Sequence, residues 1–199
     1  MKLVKIMQSA TLIVLLFLIT ACGDKEESAT KKLELPAADL KNLVIEHRNG
    51  EIKVTGSSDS DKIEVVASAK ARGIDMDKLE LKLEAQKDNA YLEAQFQAQF
   101  LALGAGTVDL EVKVPKQISL HISTHRDGNI DVSNIGSDVV INNINGHITV
   151  DQVGGSAEIH VGDGSLDINH VAQDATITQT GHGDITIGEV KGKLVQNKN

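Results

Sequence analysis

The sequence predicts an all-β fold: a single-stranded β-solenoid, or β-helix, with two short strands in each rung of about 18 residues. Three observations predict it. Segments beginning at Gly128, Gly146, Gly164 and Gly183 share one pattern, and their starts are 18, 18 and 19 residues apart. Their third positions (Ile130, Ile148, Leu166, Ile185) and fifth positions (Val132, Val150, Ile168, Ile187) are all aliphatic. Residues two apart share one face of a strand, and branched side chains suit that pleated surface. Each unit then carries a second apolar pair, Val139 with Ile141, Ala157 with Ile159, and Ala175 with Ile177, before a short last unit near Leu194 and Val195.

Further columns refine the rung. The eighth position is again apolar (Ile135, Val153, Val171, Val190), so the alternation breaks after the fifth and predicts a corner. The fourth position alternates Asp131, Thr149, Asp167 and Thr186, which avoids like charges on neighbouring strands. The seventh is polar throughout: Asn134, Gln152, His170 and Glu189. Asp127-Gly128, Asn145-Gly146, Asp163-Gly164 and His182-Gly183 mark turns that need positive φ. An antiparallel meander also accommodates these turns. The solenoid is favoured because stacked rungs bury the apolar face that a flat meander leaves open.

The chain begins with a targeting segment over residues 1–21. Lys2 and Lys5 precede an apolar run from Thr11 to Ala21, too short to span a bilayer as a helix. The run ends in Ile19-Thr20-Ala21-Cys22, which resembles the bacterial lipobox, in which the Cys becomes the lipidated N-terminus. Cys22 is the single cysteine, so no intramolecular disulfide forms, and lipidation is its expected role. Gly23 rather than Asp follows Cys22, which by lipoprotein sorting points to the outer membrane rather than the inner one. Residues 22–36, with Asp24, Lys25, Glu26, Glu27, Lys31 and Lys32, are expected to be a flexible tether, and 37–199 a single solenoid domain.

Within that domain, residues 42–70 predict a first rung. Leu43 and Ile45 precede Asn49-Gly50, Ile52 and Val54 follow it, and Ile63 with Val65 take the second-strand place. Gly56 to Asp61 reads as a polar, solvated loop. Residues 73–115 leave the repeat. Leu79, Leu81, Leu83 and Ala85 alternate with polar residues, as do Leu92, Ala94, Phe96, Ala98 and Phe100, and then Val108, Leu110, Val112 and Val114. This predicts three long antiparallel strands. A helix through Leu92, Phe96, Phe100 and Leu103 is the alternative. The repeat rungs occupy 116–199, entered through Ile118, Leu120 and Ile122.

The order of these features carries a resemblance. The lipobox, the Asn49-Gly50 rung, the long strands, Val112-Lys113-Val114-Pro115-Lys116 and the Gly-x-Ile-x-Val units resemble the bacterial "putative adhesin" family of secreted and lipid-anchored β-helical domains. The resemblance covers most of residues 40–192. It implies a cell-envelope location and offers no catalytic residues.

The charge narrows the classes of partner. The net charge is −8. All 28 acids lie beyond the targeting segment, whereas Lys2 and Lys5 lie within it, so the mature chain is more acidic still. This balance argues against nucleic acid and against direct adhesion to anionic headgroups. With no Trp, one Tyr and three Phe, stacking platforms for sugars or bases are scarce.

Chemistry-bearing residues point to no reaction. Six of the seven histidines fall between His121 and His182. His121 and His125 lie about 13 Å apart along a strand, beyond the reach of one ion, and His147, His160, His170 and His182 share no column. Asp163 and Asp167 are the carboxylate pair a polysaccharide hydrolase or lyase would use, but residues 117–199 hold ten acids against four Lys and Arg. Gly162-Asp163-Gly164 and Gly181-His182-Gly183 lack the helix of a phosphate loop. The expected function is a non-enzymatic envelope interaction module without cofactor or metal. Its expected partners are the membrane, through Cys22, together with an envelope protein, a surface polysaccharide, or a second copy at an uncovered solenoid end. A polysaccharide-active β-helix enzyme and a divalent-cation-binding surface protein are the alternatives.

Overall fold

The computed structural model describes residues 13–14, 26–97 and 104–198. The described chain is all-β, with one 3-10 turn at Met76–Lys78. The N-terminal half contains β1 (Ile13–Val14), β2 (Glu26–Pro36), β3 (Asn42–His47), β4 (Ile52–Ser57), β5 (Lys62–Arg72), β6 (Leu79–Gln86), β7 (Asn89–Phe96) and β8 (Ala105–Pro115). The repeat contains β9 (Ser119–Asp127), β10 (Ile130–Ile135), β11 (Val139–Asn145), β12 (Ile148–Val153), β13 (Ala157–Asp163), β14 (Leu166–Val171), β15 (Ala175–Gln179), β16 (Ile185–Ile187) and β17 (Leu194–Lys198).

From β9 onward the chain alternates between two sheets. The even strands β10 to β16 extend a nine-stranded sheet, and the odd strands β9 to β17 an eight-stranded one. Each strand pairs parallel with the equivalent strand of the next rung, which is the solenoid and not the meander. Ile130, Ile148, Leu166 and Ile185 stand opposite one another in register, as do Val132, Val150, Ile168 and Ile187. On the other sheet Val139, Ala157, Ala175 and Leu194 form the matching column. These columns fill one core between the sheets, buried until the last rung, where Ile185 and Ile187 are half-buried and Leu194 is 44% exposed.

Backbone conformation sets both corners of the rung. At the corner entering the nine-stranded sheet, Gly146 and Gly164 have φ of 125° and 147°. A Cβ on either would collide with the carbonyl oxygen of the glycine one rung earlier, Gly128 or Gly146. Only glycine allows the rungs to approach this closely. At the other corner Asn134, Gln152 and His170 adopt φ of 60°, 60° and 53°. These are the seventh-position residues, so the break in alternation is a left-handed residue that turns the chain.

Three buried polar residues brace the glycine corner from inside. Register places His47, Asn143 and Gln179 in one column, together with Ala94, Thr124, Val161 and Lys198. His47, Asn143 and Gln179 are 1%, 4% and 0% exposed. Asn143 Nδ2 donates to Gly128 O at 3.1 Å, and Gln179 Nε2 donates to Gly183 O at 3.1 Å. His47 Nε2 donates to Val108 O at 2.7 Å. The two amide bonds satisfy glycine carbonyls that the turning chain takes out of the ladder, and the His47 bond reaches a carbonyl within β8.

The N-terminal half departs from several expectations. Residues 26–36 are the strand β2, not part of a flexible tether. Leu33 and Leu35 are buried opposite Val65 and Ile63, and Ala29 opposite Ala69. The alternation of Ala29, Leu33 and Leu35 lies under a high density of charge, which is why the segment reads as polar. Cys22 and residues 23–25 lie outside the described residues.

Ile63 and Val65 do not occupy a second-strand place. β5 returns to the same sheet as β4 and runs antiparallel between β2 and β8. Nor do the three long strands form one antiparallel unit. β6 and β7 make an antiparallel hairpin, whereas β8 crosses to the other sheet, antiparallel to β5 and parallel to β4. Residues 89–96 are strand, so the helical alternative fails there. Ala98, Phe100 and Leu103 lie outside the described residues. The first rung, β3–β4, is internal in space: β7–β8 lies on one side and β9–β10 on the other.

Two predictions test the corners. Gln152→Val places a β-branched residue at positive φ and should destabilise by about 1–2 kcal/mol, whereas Gln152→Gly should be neutral or stabilising by up to about 1 kcal/mol. Urea denaturation measures both, and equal losses would contradict the left-handed corner.

His47 makes stability pH-dependent. Desolvation lowers its pKa below the ordinary 6.5, against the opposing effects of the Val108 carbonyl and the Asp109 charge. The unfolded chain therefore takes up the proton more readily. The contribution is complete above pH 6.5 and is lost as the pH falls towards the folded pKa. Compared with His47→Gln, the parent should lose more stability between pH 7 and 5 in thermal unfolding. Parallel pH profiles would contradict this.

Candidate interaction surface

The outer face of the nine-stranded sheet is a set of polar rows. One row runs Lys32, Val66, Glu111, Lys53, Asp131, Thr149, Asp167, Thr186. Lys53 separates Glu111 from Asp131, and Thr149 separates Asp131 from Asp167, so no like charges stand adjacent. The next row runs Glu34, Glu64, Lys113, Thr55, Ser133, Asp151, Asn169. Glu34 and Glu64 do stand adjacent, and Lys62 bridges them at 2.9 and 3.2 Å. Those two hydrogen bonds, Glu34 first, raise the Lys62 pKa. At the N-terminal end the rows form a groove of about 590 Å³ containing Lys32, Lys53, Lys113, Glu34, Glu64 and Glu111. It presents both signs of charge.

The histidines disperse. His147 Nε2 lies 3.4 Å from Asp167, and its Nδ1 lies 2.6 Å from Ser165 Oγ. Thr149 hydrogen-bonds His147 at 3.1 Å rather than either neighbouring carboxylate. His170 pairs with Asp151 at 2.7 Å, His160 with Glu158 at 3.0 Å, and His182 with Asp163 at 3.5 Å. The His182 backbone N–H also donates to Asp163, and this bond is the main cause of that carboxyl's lowered pKa. His121 lies on the exposed side of β9 near Asn142, and the His125 side chain lies outside the described ones.

Asp163 and Asp167, the candidate carboxylate pair, serve different partners: Asp163 pairs with His182, and Asp167, on β14, pairs with His147, which precedes β12. Among the described residues no group of three or more His, Cys, Asp or Glu side chains is placed to hold a metal ion. Gly56 and Ser57, expected in the loop, end β4, and Ser58 to Asp61 follow as a turn closed by local Ser and Asp hydrogen bonds. Among the described residues no helix is long and apolar enough to cross a membrane.

A second concavity, of about 480 Å³, lies at the glycine-corner edge. Arg48 and Arg126 line it with Asn49 and Asp127, over Phe96 and Val108. Arg48-Asn49-Gly50 and Arg126-Asp127-Gly128 stand on adjacent rungs, and Gly50 N–H donates to Asp127 O at 3.1 Å. The signal for this site was in the sequence. His47-Arg48-Asn49-Gly50 and His125-Arg126-Asp127-Gly128 are the same tetrapeptide but for one Asn/Asp exchange, and they contain two of the chain's three arginines.

Solved structures similar to this chain include a "putative cell adhesion protein" from Clostridium sporogenes ATCC 15579, at 10% identity and TM-score 0.40, covering 85% of this chain and 100% of that one. A "putative adhesin" from Bacteroides fragilis NCTC 9343 is 11% identical with TM-score 0.35, covering 86% and 97%. Another from Parabacteroides merdae ATCC 43184 is 11% identical with TM-score 0.28, covering 91% and 97%. No curated protein matches. The model of the Toastrack DUF4097 family matches residues 40–199. The chain belongs to the Toastrack DUF4097 family.

Proposed function

We propose that this protein is a lipid-anchored interaction module of the bacterial envelope, acting by binding rather than catalysis. The observation that carries this reading is the extended polar face of the nine-stranded sheet, with its groove of three Lys and three Glu. A surface of alternating charges discriminates partners by electrostatic complementarity. Its partner is an envelope protein or a surface polysaccharide. Among the described residues β16 and β17 are the outermost strands at one end of the two sheets, and these edges are the surface for self-association. The names of the similar solved structures agree with such a role.

Anchoring follows from the Ile19-Thr20-Ala21-Cys22 segment, with acyl chains on Cys22 holding the protein to the membrane. Gly23 supports the outer membrane over the inner one. Cys22→Ala should remove incorporation of labelled fatty acid and move the protein from the membrane fraction to the soluble fraction. Unchanged labelling and fractionation would refute the anchor. Digestion of intact cells then tests the surface reading: loss of the protein while a periplasmic marker survives supports outward display.

A further inference from the structure

We infer that the edge bearing Arg48 and Arg126 faces the bilayer, and that these two side chains hold the phosphate of a phosphoethanolamine headgroup. The inference rests on anchoring at Cys22. Four peptide steps separate Cys22 from Glu26, the first residue of β2, a reach of about 14 Å at full extension. Glu26 stands opposite Arg72, and Arg72 opposite Ala105, which lines the arginine cleft. Two strand spacings amount to about 10 Å. A long tether would leave the domain free to tumble. With β2 ordered from Glu26, the anchor delivers one particular edge to the membrane.

The chemistry of that edge suits a headgroup. All three arginines of the chain gather there: Arg72 ends β5, Arg48 follows β3, and Arg126 lies near the end of β9. Planar guanidinium forks match phosphate oxygens. The cleft also holds acceptors. Asn49 Oδ1 is buried and has no hydrogen-bond partner among the described residues, and Asp127, whose Oδ1 accepts from Asn145 Nδ2 at 3.1 Å, lines the same cleft. Two acceptors next to two guanidinium groups match an ammonium next to a phosphate.

Charge favours the zwitterion over an anionic lipid. The chain is acidic overall, and Glu26 and Glu27 are exposed on the same edge. An anionic surface would be repelled by that field, whereas a zwitterionic one is not. The anchor keeps the cleft at high effective concentration near headgroups, so individually weak contacts fix the orientation.

The test uses the full acylated chain in phosphatidylethanolamine–phosphatidylglycerol vesicles. With the Cys22 sulfur carrying its lipid as a thioether, an added cysteine is the one free thiol. Thr107→Cys places a fluorophore at the exposed rim of the cleft, and Ala172→Cys places one at the opposite edge, after β14. A nitroxide on the lipid headgroup should quench the Thr107 probe at least threefold more than the Ala172 probe, with aqueous iodide showing the reverse. Arg48→Gln with Arg126→Gln should abolish the difference while leaving the unfolding temperature at the parent value. Replacing phosphatidylethanolamine with phosphatidylcholine, whose ammonium donates no hydrogen bond, should reduce the difference. Equal quenching at both sites, or a difference unchanged in the double variant, overturns the inference. Chains that fail to float with vesicles refute the anchor itself; chains that float with equal quenching refute only the headgroup contact.

Discussion

Stacking in register constrains every other feature of this molecule. Each rung takes its backbone hydrogen bonds from the rung before and gives them to the rung after, so both corners must repeat at the same depth. A one-residue slip would turn the Ile148 column outwards and the Thr149 column inwards. The near-constant 18-residue spacing follows from this. So do the two special backbone positions, glycine where a carbonyl of the preceding rung leaves no space for Cβ, and a left-handed residue at the seventh position. The buried amides of Asn143 and Gln179 belong to the same requirement, because they satisfy carbonyls that the corner removes from the ladder.

The N-terminal half solves a different problem, how a solenoid begins. Its first rung is not left at the end of the stack. β7–β8 is laid beside β3–β4, and the antiparallel strands β5, β2 and β6 then extend the two sheets outwards. The extension brings β2, β5 and β8 to a common edge, where Glu26, Arg72 and Ala105 stand opposite one another. The fold thereby separates two surfaces: a mixed-charge face along the nine-stranded sheet, and an arginine-bearing edge next to the expected lipid attachment.

The repeat was legible because each rung repeats the same demands on residue type. Ile130 and Val132 point inwards for the same reason as Ile148 and Val150, so one column confirms another. The corner at the seventh position was legible as a break in alternation, although Gln152 gave no sign of positive φ, being a residue type that rarely adopts it, unlike Asn134 and His170. The tether failed as a reading because Ala29, Leu33 and Leu35 are three apolar residues among many charges, and their burial depends on partners in β5 that lie far along the chain, from Ile63 to Ala69. The placement of β3–β4 between β7–β8 and β9–β10 was illegible for a related reason: strand order is decided by packing across the sheet, whereas periodicity reports only which face a residue takes. His47 was hidden by its neighbours Glu46 and Arg48, yet it is the most deeply placed titratable group of the core. The arginine cleft left a trace, the repeated His-Arg-Asn/Asp-Gly, whose meaning appears only once the two copies are adjacent.

The non-sequential stack is the central claim, and cross-linking addresses it directly. Thr55 on β4 and Ser133 on β10 are register partners with side-chain oxygens 3.5 Å apart. Neighbouring strands place Cα atoms within the roughly 4.4–6.8 Å that a disulfide requires. In a Cys22→Ser background, Thr55→Cys with Ser133→Cys should oxidise to an intramolecular disulfide in the folded monomer. Lys113→Cys with Ser133→Cys spans two strand spacings, about 10 Å, and should stay reduced. If the second pair closes and the first does not, β8 lies beside β10 in simple chain order, and the internal first rung is wrong.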